Sequence, residues 1–175
     1  PPPPPPPQDT AKTRNDKLLD AWREFVSRYP WSWFGTFTFA REVHPEAADK
    51  RYRVWASKLS RSLYGARWYK RQSGVYWIRA LEMQRRGVIH YHALVGAARL
   101  ARADDRLARA NRRAWEAEWL EIGRGFARLE TPRSIGCVSG YCAKYVAKGG
   151  EIDLGGVFPD LTSLPLLSPI DSHPP

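Results

Sequence analysis

The chain has 175 residues, enough for one domain, and its 43% hydrophobic content, with 8 Trp, 8 Tyr and 6 Phe, can fill a packed core. All 28 Lys and Arg but only 14 of the 18 acidic residues lie in residues 1–150, so that stretch carries +14 of formal charge against +10 for the whole chain, which points to a polyanionic partner such as nucleic acid. No apolar run approaches the ~18–20 residues of a membrane span, no G-x-x-x-x-G-K-[ST] marks an ATPase or helicase, and Cys137 and Cys142 form no C-x-x-C and suit a reducing cytoplasm better than a disulfide scaffold.

Pro1–Pro7 opens residues 1–15, a Pro-rich leader expected to be disordered. The chain begins on proline rather than methionine, so its start is read as an artificial boundary. A first helix is predicted from about Asp16 to Tyr29, ended by Pro30, with Leu18, Leu19, Trp22, Phe25 and Val26 as its apolar stripe. Trp31 to Phe39 reads as a strand in which Phe37 and Phe39 alternate with Thr36 and Thr38. The apolar face belongs to the core; the two Thr hydroxyls can reach a phosphate. Pro45 opens a second helix and Gly65 closes it, with Ala48, Tyr52, Trp55, Leu59 and Leu63 on the buried side.

The next stretch, Val75 to Val95, is the most informative. Two apolar runs flank Arg85-Arg86-Gly87, the pattern of a β-hairpin whose third loop residue is left-handed. In that register Gln84 pairs with Val88, Glu82 with His90 and Ala80 with His92. Side chains alternate along a strand, so Glu82, His90 and His92 share one face. Leu81, Met83, Ile89, Tyr91 and Ala93 take the other. Two imidazoles and a carboxylate on one face can hold a divalent metal with positions open for a substrate.

A third helix is predicted from about Ala101 to Glu121. Arg99, Arg102, Arg106, Arg109 and Arg113 recur at spacings of three and four and would form a continuous cationic ridge along it, either facing solvent or tracking a phosphate backbone. Gly123 and Gly125 break that helix before a short strand at Phe126 to Glu130. The last element expected is a helix over Ser139–Gly150, with Tyr141 and Tyr145 one turn apart on one face and Lys144 and Lys148 beside them. Residues 151–175 are acidic and rich in Pro and Leu, and read as a tail or linker.

Three of these stretches, in this order, resemble the motifs of the HUH endonuclease superfamily, and within it the rolling-circle replication initiators (Rep proteins) of phages and plasmids. Phe34-Gly-Thr-Phe-Thr-Phe39 is similar to the first motif's strand. Arg86-Gly87-Val-Ile-His90-Tyr91-His92, with Glu82, is similar to the histidine motif. Tyr141-Cys-Ala-Lys144-Tyr145-Val-Ala-Lys148 is similar to the two-tyrosine form of the third. Relaxases place their tyrosine before the histidines, so the motif order argues against them.

The resemblance implies an α+β fold, a central antiparallel sheet of about five strands with flanking helices, over residues 16–150. It implies metal-dependent nicking and joining of single-stranded DNA at a replication origin through a 5′-phosphotyrosine, in the cytoplasm of a prokaryotic host, with a host helicase as a candidate partner in trans. Its metal ligands would be His90, His92 and Glu82 holding Mn²⁺ or Mg²⁺. Tyr141 and Tyr145 would be nucleophiles, assisted by Lys144 and Lys148. Thr36, Thr38, Arg86, Arg99, Arg102, Arg106, Arg109 and Arg113 are the candidate DNA contacts. A lone nucleophile at Tyr141 with Tyr145 as its structural neighbour stays open, as do a transposase-type strand transferase and a non-catalytic single-strand binder.

Overall fold

The computed structural model describes residues 13–84, 87–133 and 151–163, together with Gly140 and Tyr145. An antiparallel sheet of six strands forms its centre: β1 (Trp33–Thr38), β2 (Gly74–Met83), β3 (Ile89–Arg99), β4 (Arg102–Ala103), β5 (Ala127–Glu130) and β6 (Ile152–Gly156). Five of them run side by side in the order β5-β1-β3-β2-β6, and short β4 pairs with the end of β3. The helices are α1 (Arg14–Ser27), α2 (Pro45–Tyr64), α3 (Arg106–Arg109) and α4 (Arg112–Gly123). The expected α+β architecture is therefore present, with one strand more than expected.

Each sheet face has its own cover. Trp33, Phe37, Tyr91, Ala93 and Val95 point towards α2 and α4 and meet Tyr52, Trp55, Leu59 and Trp119, all fully or almost fully buried. Phe37 is the hub: Tyr52, Trp55 and Trp119 approach it edge-on with ring centroids 4.8–5.2 Å away, the arrangement that the ring quadrupole favours. The indole N–H groups are satisfied too, Trp119 donating to the Thr38 carbonyl (3.0 Å) and Trp55 to that of Trp115 (3.0 Å). On this side Arg79 is buried, stacks against Tyr52, Trp77 and Tyr91, and pairs with Asp49 of α2 and Asp153 of β6. Among the described residues, the opposite face is only half covered. There α1 lays Trp22, Phe25 and Val26 over Phe34, Ile78 and Leu94.

The helix ends follow local chemistry. Pro45 takes the first position of α2, and Gly65 ends it at φ +84°. α1 starts two residues before the predicted Asp16, because Thr13 and Asp16 form a reciprocal capping box.

Two expectations are corrected. The single helix over 101–121 does not form. Leu100 and Ala101 adopt positive φ (53° and 59°), Arg102–Ala103 folds back on β3, and the four-residue α3 ends at extended Ala110. Asn111 then caps α4. Asn and Asp side chains compete with helical hydrogen bonding, and here Asp104 also takes the Arg106 amide (2.7 Å). The arginine ridge is thus split between β3, β4, α3 and α4. Nor does a tail begin at residue 151, since Ile152–Gly156 pairs antiparallel with β2 from Ile152 opposite Ala80 to Gly156 opposite Tyr76. Long-range pairing overrides the weak strand propensity of its Asp and Gly residues.

Candidate metal centre

The hairpin forms in the predicted register. Gln84 donates to the Val88 carbonyl (3.0 Å), Gly87 turns the chain at φ +74°, and Glu82 lies opposite His90 and Ala80 opposite His92. Alternation then carries Glu82, His90 and His92 onto the half-covered face. His90 Nε2 lies 3.0 Å from His92 Nε2, and Glu82 Oε2 lies 3.3 Å from each. All three residues are half-buried.

This donor set fits a divalent cation. Three electron-pair donors converge on one small triangle whose edges match neighbouring ligands on an ion with bonds of about 2.1 Å. Their surroundings hold them there. Thr36 of β1 pairs with His92, and its hydroxyl lies 3.2 Å from His92 Nδ1. In the tautomer whose Nδ1–H donates to the Thr36 hydroxyl oxygen, the Nε2 lone pair faces the triangle. The His92 ring stacks with Phe34 (centroids 6.1 Å, planes 15° apart) and with Tyr145 (5.5 Å, 29°). His90 Nδ1 is buried without a hydrogen-bond partner among the described residues.

Tyr145 closes the centre. Its ring is buried and its hydroxyl donates to Glu82 Oε2 at 3.4 Å. Burial pushes the phenol's pKa well above its ordinary value, and the adjacent Glu82 carboxylate adds to the shift. At neutral pH this phenol keeps its proton.

The other candidate residues are more scattered. Tyr141, Lys144, Lys148 and Arg86, and the helix predicted over Ser139–Gly150 apart from helical Gly140 and Tyr145, lie outside the described residues. The Thr38 hydroxyl is engaged by the backbone of Phe126, donating to its carbonyl and accepting from its amide, both at 3.0 Å. Arg99 and Arg102 pair with each other at the end of β3 away from the histidines. Arg106 donates to the Leu63 carbonyl and stacks on Tyr64, and Arg109 pairs with Asp105. Sequence spacing did not reveal the stacking of Phe34 and Tyr145 on His92. It depends on β1 lying beside β3, and the only advance signal was the aromatic and β-branched alternation of Trp31–Phe39.

A mixed sheet-and-helix fold that carries a metal-capable Glu-His-His centre on its central hairpin defines the class. The model of the replication-associated protein ORF2/G2P family matches residues 32–150, more than half of the chain. The chain belongs to that family. No curated protein and no solved structure matches it significantly. Membership makes this a Rep-type protein of replication initiation, with DNA as its partner. Among the described residues, no helix is long and apolar enough to cross a membrane.

Proposed function

We propose that the protein nicks and rejoins single-stranded DNA at a replication origin, in the manner of the two-tyrosine HUH initiators, with tyrosine as the nucleophile. The observation that carries this reading is the convergence of Tyr145 with Glu82, His90 and His92: a phenol oxygen 3.4 Å from a carboxylate that also completes a metal triangle. A structural tyrosine has no need of that position.

In this reading Glu82, His90 and His92 hold a divalent ion, with imidazole favouring Mn²⁺ and availability favouring Mg²⁺. Once bound, such an ion polarises the scissile phosphate and offsets the charge that builds up in the transition state. Thr36 and Phe34 orient His92. Tyr145 presents its hydroxyl beside the phosphate, and Tyr141, four residues earlier in the sequence, is the other nucleophile. Attack joins the tyrosine oxygen to the 5′-phosphate and releases a 3′-hydroxyl that can prime synthesis. A phosphodiester is exchanged for a phosphodiester, so the step is reversible and the second tyrosine can accept the next junction. Lys144 and Lys148 grip phosphate or stabilise phenolate. Origin DNA is the partner this chemistry acts on, and a host helicase in trans is the candidate partner for the replication that follows.

The test is a denaturing gel of protein incubated with labelled single-stranded DNA from the genetic element's own origin and Mn²⁺. Wild type should give a DNA–protein band that is lost in His90→Ala and in the Tyr141→Phe/Tyr145→Phe double variant. DNA binding without any adduct would leave a single-strand binder instead.

A further inference from the structure

We propose that Phe126 is a stacking platform for an unpaired base near the scissile phosphate, and that the arginine cleft beside it receives the adjoining backbone. This rests on the DNA-handling reading above and adds to it a subsite on β1, β5 and the end of α4.

The pairing of the strands carries the argument. Thr36 lies opposite Arg128, and Phe37 opposite Ala127. One step further, the Thr38 amide donates to the Phe126 carbonyl at 2.7 Å. Thr38 is also opposite His90, and His90 opposite Glu82. Phe126, Thr38, His90 and Glu82 therefore form one row across four strands, with their side chains on the same face. Strands lie ~4.8 Å apart, so Phe126 starts about 10 Å from His90. At ~3.4 Å per stacked nucleotide that is about three nucleotides, and fewer if the strand is stretched.

Phe126 is 79% exposed, the most exposed large apolar side chain among the described residues. A lone exposed aromatic means little by itself. This one lies in the row of the metal triangle, on the half of the face that α1 leaves open, between Arg124 and Arg128, both exposed. Gly125 allows the close approach that puts it there: a Cβ at that position would lie 2.0 Å from the Thr38 carbonyl oxygen.

Two residues before Phe126, Arg124 also lines a cleft of about 470 Å³ between the β1–α2 connection and the end of α4. Arg41 and Arg51 line it too, against a single carboxylate, Glu42. Arg51 is anchored by a bond to the Gly123 carbonyl (3.3 Å). Neither Arg41 nor Arg124 has an ion-pair partner among the described residues. An aromatic face followed by a cluster of guanidinium groups matches single-stranded nucleic acid, whose bases stack and whose phosphates need cations. A duplex offers no free base to the ring.

The experiment is fluorescence anisotropy with a fluorescein-labelled 12-mer of oligo(dT) in low salt without metal, comparing wild type with Phe126→Tyr, Phe126→Leu and Phe126→Ala. Tyrosine should bind within about twofold of wild type, whereas leucine and alanine should bind roughly tenfold more weakly. Irradiation of a 5-iodouracil-substituted oligo(dT) should cross-link the peptide containing Phe126. Wild-type affinity in the leucine and alanine variants, with cross-links elsewhere, overturns the subsite while leaving the DNA-handling reading intact. Failure of wild type to bind the oligonucleotide at all sinks that reading as well.

Discussion

His92 is held from several sides: Thr36 meets one ring nitrogen, His90 and Glu82 meet the other, and Phe34 and Tyr145 stack on the ring. Partners that orient a ligating imidazole typically account for 10–100-fold in metal affinity. Thr36→Val keeps the shape and removes the hydroxyl, so Mn²⁺ titration followed by electron paramagnetic resonance should show affinity at least ~10-fold lower, while His90→Ala should abolish specific binding. An unchanged Mn²⁺ affinity in Thr36→Val would mean that the aromatic stacking alone orients the ring. The triad itself was readable from strand alternation around one turn, because its three members lie within a single hairpin. The stacking was not, since it depends on which strand lies next to β3. At the far side of the sheet, burial raises the pKa of Asp49, but the hydrogen bonds from Arg53 and Arg79 outweigh it and hold the carboxyl below its ordinary 3.8. A lowered folded-state pKa contributes stability that is present above the unfolded value, ~3.9, and lost as pH falls through the folded one. Asp49→Asn should therefore be less stable than wild type at pH 6–7, and the gap should close below about pH 4; urea unfolding at both pH values measures it.

The elements that carry their own boundary chemistry agree with their prediction, and the two misread stretches are set by distant contacts. The hairpin has Gly87 at its turn, and α2 has Pro45 and Gly65 at its ends, so each carries its own boundary chemistry. By contrast, the break between α3 and α4 depends on positive φ at Leu100 and Ala101. That conformation is held by distant backbone bonds, from Ala101 to the Gln72 carbonyl and from Asp160 to the Ala101 carbonyl. Nothing in the arginine spacing reveals it. β6 was missed for the same reason, because its partner β2 is about 75 residues away in sequence. Gly87 and Gly125 separate conformational strain from steric exclusion. Gly87→Ala places a side chain at φ +74° with open space around it and should cost about 1 kcal/mol. Gly125→Ala drives a Cβ into the backbone of β1, so it should cost more and loosen β5 from the sheet. Urea unfolding ranks the pair. Equal losses would show that β5 shifts freely to accommodate the methyl group.

Over the whole molecule, charge and cover decide where a polyanion can run. The half of the site face beyond Leu94 lies under α1, so a strand leaving the metal triangle along β3 meets helix, whereas Phe126, reached over Thr38, is the most exposed large apolar side chain among the described residues. Two groups of arginines lie towards opposite ends of β3. Arg41, Arg51 and Arg124 line the cleft next to Phe126, and Arg128 lies opposite Thr36, while Arg99 and Arg102 sit nine or more residues along β3, roughly 30 Å from His90 at ~3.4 Å per residue. A stacked oligonucleotide of about eight nucleotides, ~27 Å long, covers one group at a time, and one of 25 or more can reach both. If the near group makes four phosphate contacts, single-strand affinity for the short oligonucleotide should fall about 50-fold between 50 and 200 mM salt, from a slope of ~0.7 per contact. Replacing Arg124 and Arg128 with Gln should flatten that dependence. Replacing Arg99 and Arg102 should leave the short oligonucleotide unaffected and flatten the slope only for the long one. A long-oligonucleotide slope insensitive to Arg99 and Arg102 would confine the footprint to the metal-centre end of β3 and leave the distant arginines to solvation.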